Sequence, residues 1–283
     1  MSPRQQVVLV TGASSGIGAA SAALLTERGY RVFGTSRGAA ADAGQSGVEM
    51  LELDVRSDAS VAACVGALLD RAGRIDALVN NAGVMAFGES EGTGLEQAKE
   101  QFETNFFGAV RMINAALPAM RRQSGGRIVN LSSLAGLMGV PLLSFYSASK
   151  FALEGYTESL RYELRDLGIS VSLVEPSWVR TGLGEAVQQP DRPVPAYDRM
   201  REPVLAAIGH RIEAGLPPER VADAVVRAVA DRRPRLRYRV GREATWVPRV
   251  RMVAPPARFE ATTRRMFGLD AAAGRRDGPE RAT

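Results

Sequence analysis

Val7-Val8-Leu9-Val10 is an unbroken apolar run, the pattern of a strand buried on both faces. Thr11–Gly18 interrupts it with three glycines, and apolar residues then recur at helical steps from Ala19 to Arg28 until Gly29 stops them. The rhythm repeats. Arg31–Thr35 predicts a second strand and Glu49–Val55 a third, followed by a helix rich in Ala, Val and Leu to about Ala72. Ala77–Asn80 predicts a fourth strand, Leu95–Arg122 a long helix and Arg127–Leu131 a fifth strand. Phe151, Leu153, Tyr156, Leu160 and Leu164 then mark a helix, Ile169–Val174 a sixth strand, Val221–Ala230 a helix and Arg235–Val240 a last strand. Strands alternating with helices predict an α/β fold, a doubly wound parallel sheet of about seven strands with helices on both faces. Ligands of such sheets bind beyond the carboxyl ends of the strands, where Gly12, Asn80, Ser133 and Pro176 fall.

From Pro176-Ser177-Trp178-Val179-Arg180-Thr181 to about Pro218 no period survives. Prolines stand at 190, 193, 195 and 203, and apolar Leu183, Val187, Val194, Tyr197 and Met200 mix with charge. So long an irregular stretch in a compact domain is expected to be functional, here a substrate lid at about 182–218. Beyond Gly241, Trp246-Val247-Pro248, Pro255-Pro256 and Met266-Phe267 predict segments folded back on the body, and Ala271–Thr283 a disordered tail. There is no internal repeat. Residues 1–240 read as one domain and 241–283 as a C-terminal extension.

Composition narrows the class. The hydrophobic content of 45% with 24% charged residues is ordinary globular usage. No apolar run reaches the length of a membrane span and Met1–Gln6 is polar, so neither a signal peptide nor a transmembrane helix is expected and the cytoplasm is the expected compartment. The single cysteine, Cys64, excludes an internal disulfide and reads as a small buried hydrophobe; no metal site is expected. Charge is uneven: residues 231–283 carry 14 Arg against 6 Asp or Glu, leaving 22 basic and 25 acidic residues in 1–230. The basic tail leaves peripheral contact with an anionic membrane open, although a solvated surface is the commoner meaning; nucleic acid is not expected.

Candidate chemistry begins at Tyr146-Ser147-Ala148-Ser149-Lys150. On a helix Tyr146 and Lys150 lie one turn apart on one face. A fixed ammonium favours phenolate and is expected to pull the tyrosine down toward the working range of a general acid or base. Lysines are only Lys99 and Lys150 among 36 basic residues, so a compact, titratable ammonium stands here in a chain otherwise built with arginine. Ser133, just after the fifth strand, is placed to reach the same oxygen. At the other end, strand, glycine turn and helix together form the context in which such a turn holds phosphate. The second strand ends at Ser36-Arg37 with no carboxylate; an acidic residue there usually binds an unphosphorylated ribose, whereas Arg37 suits a 2′-phosphate. NADP(H) is therefore expected over NAD(H). Asn105 stands inside the long helix although asparagine is a poor helix former, which marks its amide as useful.

Thr11–Gly18, Asn80-Asn81-Ala82-Gly83, Ser133, Tyr146-x-x-x-Lys150 and Pro176 to Thr181, in this order and spacing, resemble the short-chain dehydrogenase/reductase family over about residues 7–240. The resemblance implies a single Rossmann-type domain and hydride transfer between NAD(P) and an alcohol/carbonyl pair. It implies Tyr146 as proton donor or acceptor, Ser133 as partner of the substrate oxygen, Lys150 on the nicotinamide ribose and lowering the Tyr146 pKa, and Asn105 holding a relay water. Gly12, Ser14, Ser15, Gly16, Ile17 and Gly18 would hold the pyrophosphate. Asp54 and Val55 would meet the adenine, Asn81, Ala82 and Gly83 would lie along the cofactor, and Pro176, Val179 and Thr181 would stand at the carboxamide. Ser133–Gly139, Ser149–Gly155 and Leu236–Tyr238 are similar to the hydroxysteroid and retinol dehydrogenase branch, which suggests a bulky apolar substrate among Met138, Leu142, Leu143, Val179, Val187 and Met200. The family also implies a homodimer or homotetramer built on the helices bearing Asn105 and Tyr146. A regulator that binds NAD(P) without turnover, or a reductase of small or acyl-type ketones, is the alternative.

Overall fold

A computed structural model describes residues 5–38, 47–180 and 190–270. Seven strands, β1 (Val7–Val10), β2 (Arg31–Ser36), β3 (Glu49–Glu52), β4 (Ala77–Asn80), β5 (Gly126–Leu131), β6 (Ile169–Pro176) and β7 (Arg237–Val240), pair in parallel in the order β3-β2-β1-β4-β5-β6-β7. Right-handed crossovers of parallel strands put helices on both faces. Strand order reverses between β1 and β4, and a crevice opens at their carboxyl ends. The Rossmann-type α/β expectation holds.

Alternation along each strand splits the core in two. Leu9, Phe33, Leu78, Ile128 and Val171 face one side, under α2 (Asp58–Ala72), α4 (Gly108–Arg122) and α5 (Ser144–Leu164). Val8, Val10, Val32, Val79 and Val129 face the other, under α1 (Gly16–Glu27) and α7 (Pro218–Ala230). Cys64 sits in the first core and burial pushes its thiol up to about 11, the inert state the sequence suggests. One polar row crosses the same layer. Asn80 Nδ2 donates to Asn130 Oδ1 and Asn130 Nδ2 to Thr157 Oγ1, each at 2.9 Å, tying β4, β5 and α5 with no exposed member.

Two expectations are corrected. The long helix over 95–122 is α3 (Leu95–Phe102) and α4 joined by a π-helical turn, Glu103–Phe107, that carries Asn105. The segment read as irregular lid contains α6 (Asp198–Glu213). Pro203 lies inside α6, where it removes one N–H and crowds the carbonyl of the preceding turn, a cost outweighed by Val204 and Ile208, which bury completely in a third apolar cluster. α8 (Arg242–Val253) and α9 (Pro256–Met266) follow β7, and Phe267 closes onto that cluster at 1% exposure. Strand limits shift slightly: β3 stops at Glu52, β6 extends to Pro176 and β7 starts at Arg237. The tail expected to be disordered, 271–283, lies outside the described residues. No helix among the described residues is long and apolar enough to cross a membrane.

Candidate active site

The turn between β1 and α1 is built for close approach. Gly12 (φ +65°) and Gly16 (φ +54°) take left-handed backbone that favours glycine. Asn81 Nδ2 donates to the Thr11 and Gly12 carbonyls at 3.0 Å, and Thr11 Oγ1 accepts from the Asn81 and Ala82 N–H groups at 3.0 Å. The end of β4 thereby clamps the turn. α1 starts at Gly16 with no side-chain cap from Ser15, which leaves the orphan N–H groups and positive end of its first turn for an anion.

This turn opens on a cavity of about 420 Å³. Of the residues singled out in the sequence, Gly12, Ser14, Ser15, Gly16, Ile17, Arg37, Asp54, Val55, Asn81, Ala82, Gly83, Ser133, Leu143, Tyr146, Lys150, Pro176 and Val179 line it. Others do not. A Cβ on Gly18 would fall 2.1 Å from Gly12 O and 2.5 Å from Asn81 Nδ2, so Gly18 lets α1 pass the turn rather than touch a ligand. Met138 and Leu142 are buried in the third apolar cluster behind the wall, and Met200 packs against its outside. The reason is local: Leu142 takes φ +60° and its carbonyl accepts from Gly88 N–H at 2.9 Å, in a turn that presents Val140 and Leu143 to the cavity instead. Thr181 and Val187 lie outside the described residues.

Asn105 is 2% exposed and off the cavity wall. Its Nδ2 donates to Val84 O (2.9 Å) and Ser149 Oγ (3.2 Å), and its Oδ1 accepts from Val84 N–H (2.8 Å). The amide thus joins the π-helical turn to α5 and to the strand-β4 loop.

At the other end, Tyr146 stands in the first turn of α5, and Ser133 Oγ accepts from Ala135 N–H at 3.1 Å. Lys150 Nζ donates to Leu131 O at 2.8 Å and lies 5.8 Å from the Tyr146 ring centre. The charge pattern differs from the expectation. Burial raises the Tyr146 phenol above its ordinary range, with the Ser133 hydroxyl opposing. Burial lowers Lys150 to about 8, with Glu154 opposing. Lys150 is bonded to a backbone carbonyl rather than to the phenol oxygen, so its pull on Tyr146 is weaker than sequence spacing suggests. It nonetheless remains mostly cationic at neutral pH.

At the far end, Asp54 is held below the usual carboxylate range by Arg56, bonded through Nε and Nη2, with the Arg37 charge adding to the effect. Arg56 lines the cavity beside Arg37, and sequence reading missed it although it stands two residues past Asp54. Leu143 and Val179 of the apolar wall were named from the sequence, whereas Met85, Leu134, Val140, Trp178 and Ile212 were not, the last because it comes from α6. A groove with a phosphate-seeking turn at its middle, two arginines at one end and a phenol and amine at the other fits a dinucleotide.

A family model described as short chain dehydrogenase matches residues 6–192. The 3-ketodihydrosphingosine reductase of Bacteroides thetaiotaomicron is 38% identical over 257 residues, spanning 86% of this chain and 93% of that protein. Retinol dehydrogenase 8 of Bos taurus is 38% identical over 267 residues, 87% and 84% of the two chains. Among solved structures, a short-chain dehydrogenase from Streptomyces avermitilis superposes with a TM-score of 0.80 at 33% identity, covering 98% of this chain and 100% of that one. A short chain dehydrogenase from Burkholderia cenocepacia in complex with NADP has a TM-score of 0.72 at 26% identity, covering 93% and 98% of the two chains. One from Burkholderia phymatum in complex with NAD has a TM-score of 0.74 at 26% identity, covering 99% and 98%.

Proposed function

The chain belongs to the short-chain dehydrogenase/reductase family, with relatives in its retinol dehydrogenase branch, and from that premise we propose an NADP(H)-preferring oxidoreductase acting on a carbonyl or secondary alcohol of a bulky apolar substrate. It is an NAD(P)-binding oxidoreductase by family; the phosphorylated cofactor, the substrate class and the roles below are the inference. One observation carries it: Ser133, Tyr146 and Lys150 share a single cavity with the glycine turn.

When bound, the nicotinamide supplies or accepts the hydride. Tyr146 gives a proton to the substrate oxygen in reduction and takes one in oxidation. Ser133, whose Oγ accepts from Ala135 N–H and whose hydroxyl faces the phenol, turns its O–H to that oxygen when substrate enters. Lys150 holds positive charge beside the phenol and favours the phenolate that forms as the proton leaves. Asn105, whose amide is bonded to Val84 and Ser149, is assigned the relay water with that amide already serving the frame of the site. Gly12 to Ile17 seat the pyrophosphate, and Asn81 holds their backbone in shape.

NADP(H) is favoured because Arg37 and Arg56 frame the end of the groove where a 2′-phosphate would lie, and Asp54 is already neutralised by Arg56. An apolar substrate is favoured by the wall of Met85, Val140, Leu143 and Ile212. Tests begin with 3-ketodihydrosphingosine and retinal, suggested by the names of two relatives, within a wider ketone panel followed by NADPH absorbance. Tyr146→Phe is expected to cut kcat by roughly 10²- to 10⁴-fold while leaving NADPH affinity nearly intact; an undiminished rate overturns the assignment.

Self-association is part of the reading. Phe107, Phe151 and Tyr162, on the helical layer that bears Asn105 and Tyr146, are exposed at 44%, 38% and 76%, which suits a homodimer or homotetramer built on that layer. Light scattering after size exclusion reads the mass directly, and a monomer at working concentration overturns it.

A further inference from the structure

Lys150 does not end the polar chemistry of α5. One turn further along, Glu154 is 5% exposed, and one turn beyond that stands Glu158. A carboxylate so placed costs several kcal/mol to desolvate unless it is paired, and this one is paired from across the sheet. Arg237 of β7 bonds Glu154, Glu158 and Glu175 of β6 together. Arg239 adds a bond to Glu175, which is 0% exposed. Ser132 Oγ lies beside Glu154, too loosely to complete a hydrogen bond, and a Cβ on Gly136 would strike that hydroxyl at 2.6 Å and reach Glu154 Oε1 at 3.3 Å. Around Glu154 stand Lys150, one turn before it on the same helix and bonded to Leu131 O rather than paired with it, Glu158 one turn after, Arg237 from β7, Glu175 from β6 and Ser132 from the loop after β5. Cations and anions alternate from the cavity floor to the sheet edge, and Lys150 is the member that opens on the cavity.

We infer that Glu154 is a positioning residue for Lys150: its carboxylate, anchored by Arg237, holds the buried ammonium charged so that Tyr146 works beside a cation. The electrostatics agree in direction. Burial lowers Lys150 to about 8 and Glu154 is what opposes this fall. Burial, then Glu175, raise Glu154 above the usual carboxylate range, against the pull of Ser132 and Arg237. Protonating Glu154 would withdraw the support of Lys150. The inference rests on the proposed role of Tyr146 and Lys150, yet concerns groups of this chain alone.

Its test needs neither substrate nor cofactor. With lysine labelled by carbon-13 at Cε, only Lys99 and Lys150 report, and Lys99→Arg assigns the pair. In the unaltered protein the Lys150 signal should titrate near 8 and show a smaller inflection at lower pH, above the usual carboxylate range, as Glu154 ionises. Glu154→Gln is expected to lower the Lys150 midpoint by about one pH unit and to abolish the smaller inflection. An unchanged midpoint in a variant with native circular dichroism overturns the inference. Should Glu154→Gln not fold, Glu175→Gln decides: with its repulsion gone the smaller inflection moves to lower pH, and an inflection that stays in place overturns the inference. Tyr146→Phe turnover judges the redox reading separately, so either can fail without the other.

Discussion

Replacing Gly18 by alanine would put a methyl carbon 2.1 Å from the Gly12 carbonyl oxygen, a contact that only backbone movement relieves. Gly18→Ala is therefore expected to open the phosphate turn and weaken NADPH binding on the order of tenfold or more, by fluorescence titration; unchanged affinity would mean the turn has slack. At the other end of the groove, Arg37→Asp sets a carboxylate where a 2′-phosphate would lie and is expected to shift the NADPH to NADH ratio of kcat/KM toward NADH by about two orders of magnitude. A ratio that does not move would remove Arg37 from cofactor choice. The glycine turn, Ser133, Tyr146 and Lys150 were legible in sequence because each follows from local spacing on one strand end or one helix face. Met138 and Leu142 were not: their facing depends on a single left-handed residue in an irregular turn, which no periodicity encodes. Nor was the upward shift of Tyr146, which depends on what the whole fold buries around it.

Helices and strands carry the next level. The alternation of apolar strands with helical stretches was enough to give seven parallel strands, and every strand expected from sequence is present within a few residues. The π-helical turn was hidden, because Asn105 looks like a weak residue in a continuous helix until its amide is seen bridging Val84 and Ser149. α6 was hidden by prolines, whose local meaning was outweighed by the burial of Val204 and Ile208. The Asn80–Asn130–Thr157 row joins three elements without any exposed member. Asn130→Leu leaves Asn80 Nδ2 and Thr157 without that partner and is expected to destabilise by about 2–4 kcal/mol, read as a drop in urea midpoint at constant slope; a change under 1 kcal/mol, by the same principle, would show that the row is not stabilising.

For the molecule as a whole, the extension after β7 is the part least readable from sequence. Trp246, Val250, Met252 and Val253 of α8 stay exposed, whereas Phe267 after α9 is buried, edge-on to Trp178 at 6.3 Å between ring centres. A chain ending at Gly241 would uncover Val204, Ile208 and the back of Trp178. It is expected to lose at least tenfold in kcat/KM toward large apolar ketones, roughly 1.4 kcal/mol, while NADPH still binds; equal activity would show that the wall stands without the extension. The same pair of proteins, floated with anionic liposomes at low salt, tests whether the arginine-rich segment reaches a membrane surface; equal flotation excludes it.

The edge-on contact of Trp178 with Phe267 also has a consequence during synthesis. The polypeptide emerges from the ribosome in order, and the glycine turn, Ser133, Tyr146 and Lys150 have all left it long before Phe267 does. The half of the groove that grips a nucleotide can assemble on a nascent chain, whereas the apolar wall at its other half waits for Phe267 to back Trp178. A growing chain could thus hold its coenzyme before the wall that meets a large apolar substrate has its backing.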